Sequence, residues 1–190
     1  RNGKRKRSKG KEPAYELYRF TAPETGYPVQ IELLARHSDM FGEPSGFHIE
    51  PLPPEEEHYS LSAIMMDDDF YQLTLTNSEV VGGLPVANAF ALIGLKARAF
   101  LNLLVEKENG RQVNTRDIMK HRNDVLKLAA IVNTDLRVVV PQSIIDTLND
   151  YISHIRSIHP SQSLRAAIGV NDKEIEALIE VLENIYTPEQ

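Results

Sequence analysis

The sequence predicts an α+β fold, a small antiparallel sheet followed by a C-terminal helical bundle. Three observations lead there. Short runs before residue 88 alternate apolar and polar side chains, the two-residue period of a half-buried strand. Later runs repeat their apolar residues at helical spacing, and Asn114 or Thr115, Pro141, and Asn171 or Asp172 supply helix starts. The division is accordingly set between residues 87 and 88, with a basic arm and a β-rich part over 1–87 and a helical region packed on it over 88–190.

Residues 1–11, RNGKRKRSKGK, hold seven of the 21 basic residues and no acid, and the remainder carries 14 basic against 27 acidic residues, a net of -13. An acidic body is a poor general nucleic-acid binder, because phosphate contacts supply most non-specific affinity and need a basic surface. The arm has three readings, a nucleic-acid contact, a contact to a nucleotide's phosphates, or a solvated loop, and the last is the ordinary one for a short Gly- and Ser-containing Lys/Arg run. The 190 residues, 42% hydrophobic, suffice for one sizeable core. No apolar run is long enough to cross a bilayer and none near the start resembles a secretory signal, so a cytoplasmic location without a membrane partner is expected. Zero Cys excludes disulfides, thiol catalysis and thiolate metal sites. Arg1 in place of an initiating Met implies upstream sequence outside this chain.

In order, YELYRF (15–20) and VQIELLA (29–35) read as an antiparallel pair around the turn-rich APETGYP. Glu32 shares a strand face with Gln30 and Leu34. Residues 37–58 hold Pro44, Pro51, Pro53 and Pro54 and read as a loop with a short extended piece at Phe47–Ile49. His37, His48 and His58 lack the spacing that places two imidazoles on one helix face, which argues against zinc. SLSAIMM is apolar and leads into Asp67, Asp68 and Asp69, read as a helix start or turn and not as a metal-binding pair. Tyr71–Thr76 alternates, Asn77-Ser78 is suited to a turn, and Glu79–Val86 returns, giving an expected hairpin.

The centre of the chain is a helix pair over 88–132. The first helix carries an apolar stripe of Leu92, Ile93, Leu95, Ala99, Phe100, Leu103 and Leu104, interrupted by Lys96. That ammonium must meet water, a carboxylate or an anionic ligand. The second buries Ile118, Val125, Leu128, Ala129 and Val132, while Asp117, Lys120, His121 and Asp124 share a second face at i, i+3, i+4, i+7 spacing. Such a row is ordinarily a salt-bridged surface, yet it offers Asp124 or Asp117 as a partner for Lys96. After a short apolar run at Arg137–Val140, Ile144, Ile145, Leu148, Ile152 and Ile155 form the next stripe. His159-Pro160 stops that helix and the SQS segment reads as a loop. Ile175, Leu178, Ile179, Leu182 and Ile185 face inward on the last helix, whose glutamates lie mostly outside.

The phrases LKARAFLNL and DIMKHRNDVLKLA resemble the C-terminal helical signature of the AbiEii-type nucleotidyltransferase-like proteins, a family that includes toxins of bacterial toxin–antitoxin pairs. YELYRF, YPVQIELLAR and SLSAIMMDDDFY resemble the segments that precede it, so the resemblance covers Tyr15 to about Val132. It implies transfer of a nucleoside monophosphate from a nucleoside triphosphate to a hydroxyl of an RNA or protein acceptor, with Mg²⁺, and a cognate antitoxin as partner. By position Glu32 matches the third, metal-binding catalytic carboxylate; for that chemistry Lys96 and Lys120 are the candidates for phosphate contact, and Asp124 would orient one of them. The sequence departs from the family in one respect. Nothing before Tyr15 supplies the Gly-rich turn and the Asp-x-Asp or Asp-x-Glu pair, which implies that this chain alone is inactive. The alternative is a non-catalytic interaction or RNA-binding module of a toxin–antitoxin-like system. A hydrolase using paired carboxylates has no spacing in its support.

Overall fold

A computed structural model describes residues 19–21, 24–26, 30–32, 34–36, 48–51, 62–158 and 162–189. The basic arm, His37, His58 and most of the Pro-rich segment lie outside the described residues. The chain mixes helix and strand, and it divides into two compact units, Arg1–Tyr71 and Gln72–Gln190. The boundary therefore precedes the expected one, and residues 72–87 belong with the helices.

In the first unit β1 (Arg19–Thr21) pairs antiparallel with β2 (Gln30–Glu32), with Arg19 opposite Glu32, as the alternating pattern predicts. The second run is not one strand, however. It splits into β2 and β3 (Leu34–Arg36), and β3 joins a different, mixed sheet of order β3-β5-β4. There β5 (Ser62–Met66) is central, parallel to β3 and antiparallel to β4 (His48–Pro51). The most continuously apolar segment takes the position flanked on both sides, as a central strand does.

Asp67 ends the strand and starts a helix. Its carboxylate accepts the Phe70 backbone N–H at 3.1 Å, and α1 runs Asp68–Thr76 with Asp68 and Asp69 in the first turn, where the helix dipole favours acids. The expected strand over Tyr71–Thr76 is thus corrected to helix: Phe70 and Leu73, three residues apart, are both buried, which is helical spacing. At its end the buried Asn77 side chain donates to the Leu73 carbonyl at 3.0 Å, and the Asn77 carbonyl accepts from Asn88 N–H at 2.9 Å. The hairpin forms one segment later, between β6 (Ser78–Val81) and β7 (Leu84–Ala87). Its turn is Gly82-Gly83, with φ of 60° and 83°; two successive positive φ values are the two-residue turn that matches strand twist.

In the second unit Asn88 caps α2 (Ala89–Glu108) and Asn114 caps α3 (Thr115–Ala129) by accepting the N–H groups of Ala91 and Arg116. α2 buries Phe90, Ala91, Ile93, Gly94, Ala97 and Phe100. Of the expected stripe only Ile93 and Phe100 are fully buried, because α2 packs against α3, α4 (Gln142–Ile158) and β7 on several sides. Small residues mark the closest approach. A Cβ at Gly94 would stand 2.5 Å from Leu73 Cδ2.

The stripes of α3, α4 and α6 (Asp172–Asn184) bury Ile118, Val125, Ala129, Ile144, Leu148, Ile152, Ile155, Ile175, Ile179 and Leu182 as predicted, and α3 adds Leu126. Asn171 and Glu174 form a reciprocal capping box at the start of α6. Two elements have no counterpart in the sequence pattern. Gln162–Ile168 is a helix, α5, where a loop is expected, anchored by the fully buried Leu164. Tyr186–Pro188 forms β9, parallel to β8 (Val138–Val140), and Tyr186 donates its hydroxyl to the Phe90 carbonyl. A three-residue strand is too short for any alternation to announce it.

Candidate functional site

The helix pair brings Lys96 and Asp124 together. Lys96 Nζ lies 3.0 Å from Asp124 Oδ2, and the two side chains keep 26% and 29% exposure. Lys96 can reach this position because it stands beside the buried Ile93, Ala97 and Phe100 and not among them, so its stem lies along the α2–α3 seam while its head stays at the rim. On α3, Asp117 and Lys120 are exposed, and His121 and Asp124 are half-buried.

His121 is held below the ordinary histidine pKa, first by burial and then by Lys96 and Lys120, with Asp124 and Asp117 opposing. Its imidazole is therefore neutral at pH 7, and its Nδ1 is shielded from solvent without a hydrogen-bond partner. The group as a whole sets one ammonium–carboxylate pair, Lys96–Asp124, and the charges of Lys120 and Asp117 about a neutral ring. Its chemistry is that of a cation held in a fixed direction, not that of a strongly positive patch.

The expected metal centre is not assembled by the described residues: no group of three His, Asp or Glu among them is placed to hold an ion. Mg²⁺ prefers hard oxygen ligands in a near-octahedral set, whereas Asp124 is engaged by Lys96. Glu32 lies on β2 in the other unit, opposite Arg19, and its side chain is outside the described part of the structure. Asp67 caps α1 and Asp69 lies in its first turn, as the reading of a helix start predicts.

A second polar group escapes the sequence reading. The buried Tyr151 of α4 donates its hydroxyl to the Arg122 carbonyl of α3 at 2.6 Å. Phe100 of α2 meets Tyr151 and, one turn along α4, His154, both edge-on, at centroid distances of 5.6 and 4.9 Å. The available signal is the pair Tyr151 and His154, three residues apart beside the stripe of Leu148, Ile152 and Ile155, but it becomes meaningful only once α3 is known to face α4's aromatic side. Comparison with protein-family models, with curated proteins and with solved structures returned no match to this chain.

Proposed function

We propose that this chain is a nucleotidyltransferase-like protein whose helix pair holds a nucleoside triphosphate by its phosphates, with Lys96 as the principal contact, Lys120 as a second cation and Asp124 as the residue that orients Lys96. The observation carrying this reading is the 3.0 Å pair at the rim of the seam. An ammonium has three donors, and one carboxylate engages only part of that capacity, so Lys96 is aimed yet still able to donate. Protein kinases use a Lys–Glu pair in the same way to present a lysine to phosphates. The reaction this reading serves is the transfer of a nucleoside monophosphate to a hydroxyl of an RNA or protein acceptor. A ligand bound only to the folded state raises its stability, by about 2.7 kcal/mol at a hundredfold excess over Kd. A nucleoside triphosphate, added with and without Mg²⁺, should therefore raise the melting temperature. Lys96→Ala should reduce that shift more than Lys107→Ala, since Lys107 is exposed in the last turn of α2. Equal losses would place the phosphates elsewhere.

A second reading, a non-catalytic module that binds a protein partner such as an antitoxin, is favoured by the hairpin. Val80, Val81, Leu84 and Val86 are exposed, Val80 to 76% and Leu84 to 68%, and contiguous apolar exposure of that kind marks interaction surfaces. A triphosphate that leaves the melting temperature unchanged, in a chain whose self-association or partner capture is lost in Val80→Asp, would favour this reading over the first.

A further inference from the structure

α3 carries an exposed row of hydrogen-bond donors. Arg116, Lys120, Asn123 and Lys127 follow one another at steps of four, three and four residues, which keeps them on one line of the helix, away from the buried Ile118, Val125 and Ala129. Arg116, Lys120 and Lys127 are exposed and Asn123 is half-buried. None of the three cations makes an ion pair among the described residues. Beyond the basic arm the chain has 14 basic against 27 acidic residues, so a row of cations with no acid holding them is the exception in it.

Local contacts account for the row. Asp124, one turn after Lys120, is placed to neutralise it, but Lys96 of α2 holds that carboxylate at 3.0 Å. Asp117, the other acid of α3, lies in the first turn, where the N–H groups of the helix start compensate it. Asn123 is set as a donor too: Arg122 Nε donates to Asn123 Oδ1 at 2.9 Å, which engages the acceptor of the amide and leaves Nδ2 to donate. The row therefore offers donors at successive rises of about 6, 4.5 and 6 Å, about 16 Å in all.

We infer that this row binds a single-stranded nucleic acid by its phosphates. A lone anion meets one or two of the four groups. A phosphodiester chain carries one charge per nucleotide at a stride close to one helical turn, and Arg, Lys and Asn side chains are all phosphate contacts. A duplex fits less well, since it carries one charge per roughly 1.7 Å of axis and its second strand meets a body with a net charge of -13. The row holds no aromatic side chain for bases to stack on, so it reads backbone and not sequence. The inference does not rest on the triphosphate reading: Lys120 is common to both, but Arg116, Asn123 and Lys127 stand outside that site.

The test is the binding of a fluorescent oligouridylate of about twelve nucleotides to the whole chain over a salt series. Arg116→Gln and Lys127→Gln should each weaken binding about fivefold at about 0.1 M salt and flatten the slope of log K against log salt by about 0.7, the share of one phosphate contact on a single strand. Lys173→Gln, an equal change of net charge at an exposed position of α6, should leave both unchanged. Asn123→Asp puts a carboxylate into the row and should weaken binding at least as much as either. Stabilisation by a nucleoside triphosphate should persist in Lys127→Gln, so failure of the triphosphate reading and failure of the row are separate results. The absence of binding at low salt, or losses in Arg116→Gln and Lys127→Gln no larger than in Lys173→Gln, overturns the row. Poly-aspartate of equal charge that displaces the probe as well as unlabelled oligouridylate does overturns the assignment to phosphodiesters, and a duplex that binds tighter than the single strand overturns the choice of strand.

Discussion

A lysine ammonium beside an apolar helix stripe loses solvation that the packing of its stem does not return unless a carboxylate meets it, and Asp124 meets Lys96 at 3.0 Å. The pair is partly exposed, so its coupling should be modest, about 0.5–1 kcal/mol. A double-mutant cycle on Lys96→Met and Asp124→Asn, followed by denaturant unfolding, should show that coupling, whereas strict additivity would mean that the two charges do not sense each other in solution. This contact is legible in the sequence because both halves break a pattern: a cation interrupts an apolar stripe, and a row of ionisable groups faces out of the next helix. The Tyr151–Arg122 contact is not legible. His154 and Tyr151 lie on the stripe side of α4, where an aromatic and a histidine read as ordinary core residues, and Arg122 reads as one more surface charge until α4 is placed against it.

At the scale of elements, periodicity locates α3, α4 and α6 because each has one wet face and one dry face. It misjudges α2, which has no single dry face, and it misreads Tyr71–Thr76, where alternation over six residues also satisfies a helix whose buried positions are Phe70 and Leu73. The hairpin turns at Gly82-Gly83 because that dipeptide readily takes two positive φ values, which Asn77-Ser78 does not. α2 also carries the tightest packing constraint of the described glycines, at Gly94. Alanine there gains about 1 kcal/mol of helix propensity, but its Cβ would lie 2.5 Å from Leu73 Cδ2. Leu73 is 3% exposed, so its methyl has little room to move, and overpacking costs about 1–3 kcal/mol. Gly94→Ala should therefore lower the stability by a net of up to about 2 kcal/mol, read from the denaturant midpoint, and Leu73→Val should recover part of the loss in the double variant. A midpoint that is unchanged or raised by Gly94→Ala would show that Leu73 swings aside at no cost.

For the whole chain, the charge distribution and the donor set decide what catalysis it can carry. Residues 12–190 have a net charge of -13, so on the proposed reading a triphosphate would have to be drawn in by local cations such as Lys96 and Lys120 against the field of the body. Transfer of a nucleoside monophosphate by the two-metal route needs at least two carboxylates converging on the ions. The sequence offers no Gly-rich turn with an Asp-x-Asp or Asp-x-Glu pair before Tyr15, and Asp67 is occupied as the cap of α1. Asp69 lies within that helix, so the acidic triplet does not present two carboxylates from one strand. Glu32 would be a single ligand. Since a bound Lewis acid supplies several kcal/mol of transition-state stabilisation, its loss removes several tenfold steps in rate. This chain, incubated with each labelled nucleoside triphosphate, Mg²⁺ or Mn²⁺ and a mixture of RNA and protein acceptors, should bind nucleotide yet transfer no label and release no pyrophosphate. Turnover that disappears in Asp67→Asn or Asp69→Asn would show instead that the start of α1 opens to present its carboxylates to metal, and that the chain carries a complete site.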